Sequence, residues 1–371
     1  MPDWSALLPR LEAARSRAES LGALIGFDAA IDHLYAVVRE REDPDRFTAF
    51  SLIEEFGAKV TEAAGNSALI EMEPKRTKFG GNGPIMASAL AASSRRISCI
   101  GPFGDPPEAV FDPLAERLRF LLTVGSPART HALEFEDGKI MLPILSNYKA
   151  IRAAPLIDRI GRAKLLDLIG DSRLVALLNW SCLPYLSEIF ALFTDDLLPA
   201  VEADPQRLFF FDLADPHKHA PGQLRNAVAA MAAFSAFGRS VLGLNFNEAI
   251  LLAHAFDLPE PAREGDALQT TAAALRAATG LDLVMIHPVE GAACAWEDGT
   301  AFTEGPVCQK PRITTGAGDN LNAGFCLGLG LGWPPADCLR LGVLFSGYYV
   351  RHARSPSLDE LEVFIRSPID P

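Results

Sequence analysis

The chain has 371 residues, of which 49% are hydrophobic and 22% are charged, and its formal net charge is −13. This is the composition of a globular protein with room for one large α/β domain or two smaller ones. The acidic balance argues against binding to nucleic acid or to a negatively charged membrane surface. No apolar run is long enough to span a bilayer. Six scattered cysteines without a CxxC pair fit a reducing compartment, so we expect a cytoplasmic protein.

Apolar periodicity and turn residues predict the elements of the first half of the chain. In chain order they are an amphipathic surface helix within 3–21, a strand at 24–27, a small-residue helix at 83–92, a strand at 97–101 and a hairpin within 128–148. Residues 39–78 are rich in charge, and we expect part of this segment to leave the main sheet.

From residue 174 onward, apolar strands alternate with helices. The predicted strands lie at 174–178, 208–213, 240–244 and 283–286. The predicted helices lie at 184–192, 223–237, 249–256 and 266–279, and a further buried helix lies at 321–331. Strand–helix–strand units of this spacing predict an α/β fold with a mostly parallel sheet covered by helices.

Polar residues follow several of these strands, at the points where each strand ends. They are Asp28 and Asp32, Asn179, Asp212 and Asp215, Asn245, and His287. Because the carboxyl ends of parallel strands meet at one edge of a sheet, this edge is where we expect a ligand to bind.

The most informative segment is Thr314-Thr315-Gly316-Ala317-Gly318-Asp319, which directly precedes the buried helix predicted at 321–331. Backbone N–H groups at a helix start lack partners within the helix and favour an anion, most often a phosphate. A carboxylate repels phosphate, so Asp319 indicates a proton acceptor beside the anion site, as in phosphoryl transfer to a hydroxyl. The alternative is an ordinary glycine-rich loop in which Asp319 caps the helix.

Two further segments have both a structural and a functional interpretation. Asn245 and Glu248 stand three residues apart at a helix start, which fits either oxygen ligands near Mg²⁺ or a capping box. The adjacent Gly80 and Gly81, followed by Asn82, either allow a ligand close to the backbone or form a tight loop capped by Asn82.

These segments, in this order, resemble the ribokinase-like (PfkB) carbohydrate kinase family over about residues 24–365. The segments that carry the resemblance are Gly26 with Asp32, Gly80-Gly81-Asn82, the Gly-Asp loop at 100–105, Asn245 with Glu248, and Gly316-Ala317-Gly318-Asp319. The last two are specific in combination.

The resemblance implies one domain over residues 1–371, with a three-layer α/β/α fold, a mostly parallel central sheet and a small β lid. The lid would be formed by residues 33–78 and 128–148. The implied reaction moves the γ-phosphoryl group of ATP to a hydroxyl of a sugar-like substrate, with Mg²⁺ on the nucleotide phosphates. The family also includes lid-to-lid homodimers, so a homodimer is a further possibility.

The family's residue roles carry over position by position. Asp319 would be the general base, and the amides of Gly316, Ala317 and Gly318 would form the anion hole. The acceptor would be bound by Asp28, Asp32, Gly80, Gly81 and Asn82. The nucleotide would be bound by Asn245, Glu248, Thr315 and Gly318, with Glu248 and Asn245 acting on Mg²⁺ mostly through water.

Two features depart from the family pattern or leave alternatives open. Ile313 stands where the family usually has an Asp that helps to bind a monovalent cation, so we expect no such cation site. The segment 26–32 also resembles ADP-dependent sugar kinases. A nucleoside or vitamin kinase and a non-catalytic nucleotide- or sugar-binding regulator are further alternatives.

Overall fold

The computed structural model describes residues 3–367. The strands are β1 (Ala23–Gly26), β2 (Ala30–Asp43), β3 (Arg46–Ala49), β4 (Met72–Gly80), β5 (Ile97–Gly101), β6 (Phe120–Thr123), β7 (Ala128–Phe135), β8 (Gly138–Ile144), β9 (Leu174–Leu177), β10 (Leu208–Asp212), β11 (Arg239–Asn245), β12 (Leu283–His287), β13 (Gly291–Trp296) and β14 (Gly299–Glu304).

The α-helices, in the same order, are α1 (Leu8–Glu19), α2 (Ile53–Glu62), α3 (Asn82–Leu90), α4 (Asp112–Ala115), α5 (Ala153–Ile160), α6 (Arg162–Gly170), α7 (Leu186–Leu192), α8 (Pro221–Ala232), α9 (Phe246–Ala255), α10 (Gly265–Thr279), α11 (Ala317–Gly330), α12 (Pro335–His352) and α13 (Leu358–Arg366). Within residues 3–367, no helix is long and apolar enough to cross a membrane.

The main sheet has the strand order β14-β13-β12-β11-β10-β9-β1-β5-β6. The strands from β12 to β6 are parallel to their neighbours, and the β13–β14 hairpin joins one edge in antiparallel orientation. Parallel pairing places the last residues of β1, β9, β10, β11 and β12 along one edge of the sheet. The predicted mostly parallel α/β fold is confirmed.

Helices cover both faces of this sheet. Its strands carry apolar side chains on both faces, because successive residues of a strand point to opposite sides. In β10, Leu208 and Phe210 pack into the core on the face covered by α1, α3, α11 and α12. Phe209 and Phe211 pack into the core on the opposite face, covered by α6 to α10. A strand buried on both faces favours such a continuous apolar run, and the result is a three-layer arrangement.

A second, smaller sheet has the order β3-β2-β7-β8, with β4 also paired to β2. Its central strand β2 begins four residues after β1 ends, and β4 ends at Gly80, directly before α3. A small apolar cluster of Val37, Phe56 and Leu133 lies between this sheet and α2. The small sheet therefore rises from the carboxyl edge of the main sheet, where the polar strand ends meet.

The close packing of α11 against α12 generates a test of the fold. A Cβ atom on Gly324 would lie 2.8 Å from the Phe345 ring and 2.9 Å from Leu341 O. We predict that Gly324→Ala lowers the free energy of unfolding by about 1–3 kcal/mol, since overpacking a dense core forces strain. Urea denaturation followed by circular dichroism measures this change.

Gly57→Ala is the matched control. Gly57 lies inside α2, and a Cβ there would meet no atom within 4 Å. Alanine is a better helix former than glycine by about 0.8–1.0 kcal/mol, so this variant should be at least as stable as the native chain. Equal stability of the two variants would contradict the described packing of α11 on α12.

Candidate active site

The start of α11 is shaped by Gly316, which has φ 94° and ψ 0° and precedes the first helical residue. This left-handed conformation suits glycine, and a Cβ there would also lie 2.9 Å from Tyr349 Oη. Tyr349 Oη donates to Thr315 O at 3.0 Å, and Asn320 Nδ2 donates to Gly316 O at 2.9 Å. The loop is therefore held from α12 and from within α11.

The backbone amides of this loop are not equivalent. Ala317 N–H donates to Thr314 O at 3.1 Å, so this amide is already engaged. No hydrogen bond joins Gly316 N–H or Gly318 N–H to another group in the described part of the chain. Two of the three predicted anion-hole amides therefore remain open at the positive end of the helix dipole.

Asp28 follows β1 and is fully buried. Its carboxylate accepts hydrogen bonds from Asn82 N and Gly83 N, both at 2.8 Å, and from Asn179 Nδ2 at 2.8 Å. Gly81 has φ 96°, and a Cβ there would lie 2.7 Å from Asp28 Oδ2. The double glycine thus lets the start of α3 close onto this buried carboxylate.

Asn82 is the first residue of α3 and does not cap it, because Gly81 occupies the cap position. Its side-chain Nδ2 instead donates to Asp212 Oδ1 at 3.2 Å. Asn322 Nδ2, in α11, donates to Asp212 Oδ2 at 3.2 Å. The buried Asp212 therefore joins α3 to α11. The strand-end pattern marked Asp212, but no motif assigned it a role.

Asn245 and Glu248 form a reciprocal cap at the start of α9. Asn245 Oδ1 accepts from Glu248 N at 2.9 Å, and Glu248 Oε2 accepts from Asn245 N at 2.8 Å. Glu248 Oε1 also accepts from Asp215 N at 3.0 Å. The capping interpretation is confirmed, and it fixes a buried carboxylate at the carboxyl edge of the sheet.

Asp32 lies in β2, at the junction of the two sheets. Its neighbours are Lys78 Nζ, 3.9 Å from Asp32 Oδ2, and Thr130, which donates a side-chain hydrogen bond. A Cβ on Gly80 would lie 2.5 Å from the same carboxylate oxygen. The side-chain oxygen of Asn179, Oδ1, is buried and accepts no hydrogen bond from residues 3–367.

Burial and neighbouring carboxylates raise the pKa of Asp319 and Asp212 at this edge. Burial raises the pKa of Asp319 well above its usual value, and the charges of Asp28 and Glu248 raise it further. A hydrogen bond from Asn82 and the charge of Lys78 act in the opposite direction. Burial, Glu248 and Asp319 likewise raise the pKa of Asp212. The site thus concentrates negative charge that Lys78 only partly balances.

A cavity of about 310 Å³ opens beside the loop at residues 314–319. It begins at Ala317 and Gly318 and continues between apolar residues of the β14–α11 segment and of α12, which include Val307, Val343 and Val350. Burial lowers the pKa of His287, on its wall, to about 4, so this imidazole is neutral. The cavity suits a flat heterocycle joined to phosphates at the loop. No sequence motif predicted the apolar residues that line it.

Solved structures with this arrangement are carbohydrate and nucleoside kinases. A carbohydrate kinase from Agrobacterium tumefaciens has a TM-score of 0.62 and 18% identity, with 95% of this chain and 98% of that chain covered. A ribokinase from Cryptococcus neoformans var. grubii, solved with ADP, has a TM-score of 0.63 and 18% identity, with coverages of 93% and 99%. The fold is thus that of the ribokinase-like kinases, with a three-layer core and a small β-sheet lid.

The sequence comparisons are more specific. The family model described as prokaryotic ketohexokinase matches residues 13–367. A ketohexokinase from Haloferax volcanii is 28% identical over 363 residues, which cover 97% of this chain and 94% of that protein. The chain belongs to the prokaryotic ketohexokinase family, and it is a carbohydrate kinase. The resemblance to the ribokinase-like family is confirmed.

The half-buried carboxylate of Asp319 leads to a prediction about stability. We expect Asp319→Asn to raise the melting temperature of the ligand-free protein at pH 8 by roughly 2–6 °C, because it removes one negative charge from a cluster of carboxylates. An acid whose pKa is raised on folding destabilises the native state as pH rises through that folded pKa. The gain should therefore shrink between pH 8 and pH 5. Differential scanning calorimetry at both pH values measures it.

Asp158→Asn is the control, since Asp158 is exposed on α5 and has no recorded partner in the described chain. It should change stability by no more than about 0.5 kcal/mol at either pH. An Asp319→Asn variant that is less stable than the native chain at pH 8 would contradict the described electrostatics.

Proposed function

We propose that this protein transfers the γ-phosphoryl group of ATP to a hydroxyl of a ketohexose such as fructose. The observation that carries the proposal is the position of Asp319, in the first turn of α11 beside the open amides of Gly316 and Gly318. The family match supports a ketohexose as acceptor. The cavity beside Ala317 and Gly318 supports a nucleotide as donor.

Asp319 acts as the general base that accepts the proton of the attacking hydroxyl. A base is most effective when its pKa approaches the working pH, and burial shifts the pKa of Asp319 in that direction. Asn82, whose side chain donates to Asp212, also lies close enough to Asp319 to favour its charged, proton-accepting form.

The open N–H groups of Gly316 and Gly318 stabilise the charge that develops on the transferred phosphoryl group. The positive end of the α11 dipole adds to this effect. Ala317 joins this anion hole only if its amide exchanges Thr314 O for the phosphoryl oxygen. We therefore assign the principal contribution to Gly316 and Gly318.

Nucleotide phosphates would lie between this loop, with Thr315 at its start, and the α9 cap formed by Asn245 and Glu248. The donor set fits Mg²⁺ held through water: each Glu248 oxygen accepts one backbone amide and retains capacity for another bond. Among residues 3–367, no cluster of three His, Cys, Asp or Glu side chains could cage a metal directly. When bound, Mg²⁺ neutralises charge on the nucleotide phosphates.

On the acceptor side, we assign hydroxyl recognition to Asp32, to Asn82 and to the unpaired Asn179 Oδ1, with Gly80 and Gly81 allowing close approach. Asp28 was predicted to bind substrate directly. Its oxygens accept three internal hydrogen bonds, so we now assign it to positioning Asn82 and Asn179. The small sheet, with residues 33–78 and 128–148, would close over the acceptor and exclude water.

The direct test is a kinase assay with purified protein and a panel of acceptors. We expect transfer from ATP to fructose at a higher kcat/KM than to ribose or adenosine, and higher than with ADP as donor. Asp319→Asn should lower kcat about 10²–10⁴-fold, as is typical when a general base is lost. Full activity of this variant would refute the assignment of Asp319.

Other results of this assay would support one of the alternative functions. A preference for adenosine would indicate a nucleoside kinase, and a preference for ADP an ADP-dependent sugar kinase. Thermal stabilisation by fructose and ATP without turnover would indicate a binding protein that does not catalyse transfer, because a bound ligand stabilises by mass action.

Ile313 generates a prediction about monovalent cations. This side chain is buried and apolar, three residues before the first glycine of the loop, and it offers no ligand to K⁺. We expect kcat with K⁺ and with tetramethylammonium at equal ionic strength to agree within about twofold, since K⁺ requires oxygen ligands at a defined site. A tenfold activation by K⁺ would show that a cation site exists elsewhere around the loop.

A further inference from the structure

A second cavity, of about 600 Å³, lies next to the loop at residues 314–319, which we call the catalytic loop. It shares no lining residue with the cavity of about 310 Å³ proposed for the nucleotide. Its walls come from β4, α3, the end of α12 and the segment that leads into α13. A Cβ on Gly316 would lie 2.9 Å from Tyr349 Oη and 3.1 Å from Ile85 Cγ2. Tyr349 and Ile85 therefore separate this cavity from the catalytic glycine.

The lining of this cavity is strongly cationic. It includes the basic side chains Arg76, Lys78, Arg117 and Arg354, against the single carboxylate of Glu360. Glu360 is paired with Arg354, and Lys78 lies 3.9 Å from Asp32. These two cations are therefore balanced at least in part by neighbouring carboxylates.

Arg76 and Arg117 have no such balance. Neither forms an ion pair with a carboxylate within residues 3–367. Arg117 donates only to Ser88, from Nη1 to Ser88 Oγ at 3.1 Å and from Nη2 to Ser88 O at 3.0 Å. Arg76 lies close enough to Lys78 and Tyr349 for its charge to act on both: it adds to the lowering of the Lys78 pKa by burial, and it opposes the burial that raises the pKa of Tyr349. Two guanidinium groups thus face the same cavity with donors to spare.

Hydroxyl groups complete the donor set, because Ser88, Ser355 and Ser357 also line the cavity. Guanidinium groups match the planar, bidentate geometry of phosphate oxygens, and charge-assisted hydrogen bonds of this kind are the strong ones. A volume of about 600 Å³ admits a ligand larger than phosphate itself. Such a pocket favours a compact anion with several acceptor oxygens.

We propose that this cavity is a second anion site, which binds the phosphoryl group of free phosphate or of a sugar phosphate through Arg76 and Arg117. The cavity adjoins the proposed reaction centre, since Lys78 in its lining lies 3.9 Å from Asp32. Anion binding to Arg76 and Arg117 does not depend on the proposed reaction. The cavity also adjoins the catalytic loop through Tyr349, whose hydroxyl donates to Thr315 O.

Isothermal titration calorimetry at constant ionic strength tests the proposal, with inorganic phosphate and glucose 6-phosphate as separate probes. The test variant is Arg76→Gln with Arg117→Gln. Loss of two charge-assisted bonds should raise the dissociation constant at least about 100-fold, since each contributes roughly a factor of ten or more. Both arginines are exposed at the surface, so the variant should unfold thermally within a few degrees of the native chain.

The matched control is Lys59→Gln with Lys149→Gln, which removes the same charge from exposed positions outside the cavity. It should bind both probes as the native chain does. Binding of phosphate alone would identify the free ion as the ligand, and tighter binding of glucose 6-phosphate would identify a sugar phosphate. Absence of saturable binding to the native chain, or equal loss in the control variant, would overturn the proposal.

Discussion

The site depends on buried carboxylates that are held by amide donors instead of by cations. Asp28 is the central case, because it accepts from two backbone amides at the start of α3 and from the side chain of Asn179. The positive end of a helix dipole and charge-assisted hydrogen bonds offset part of the cost of burying this charge. One carboxylate thereby fixes β1, α3 and β9 against one another at the edge where we propose that ligands bind.

The same arrangement makes the site a source of instability. The charges of Asp28 and Glu248 raise the pKa of both Asp212 and Asp319. A core of similar volume without these charges would fold more favourably. Burial and neighbouring negative charge raise the pKa of the proposed general base. The same two factors destabilise the folded protein, so the proposed chemistry comes at a cost in stability.

Sequence patterns predicted the parts of this protein that depend on local chemistry. Apolar runs located β1, β5 and the strands from β9 to β12, and the glycine-rich loop located the start of α11. They did not predict α12, because Gly342 and Gly347 lie inside that helix and lower its helix propensity. Both are required by packing: a Cβ on Gly342 would lie 2.9 Å from Leu321 O, and one on Gly347 would lie 2.3 Å from Pro306.

The sequence did not predict the role of Asp212, because that role depends on contacts between distant parts of the chain. Its partners Asn82 and Asn322 are 130 and 110 positions away in the chain, and no local pattern connects them. The same holds for Tyr349, which fixes Thr315 from α12. Val343 and Val350 of that helix line the cavity that we propose for the nucleotide. In the proposed mechanism the motif residues therefore supply the reactive groups, whereas α12 and Asp212 hold those groups in position. A relative that kept the motifs but repacked α12 could retain the chemistry and lose the geometry on which it depends.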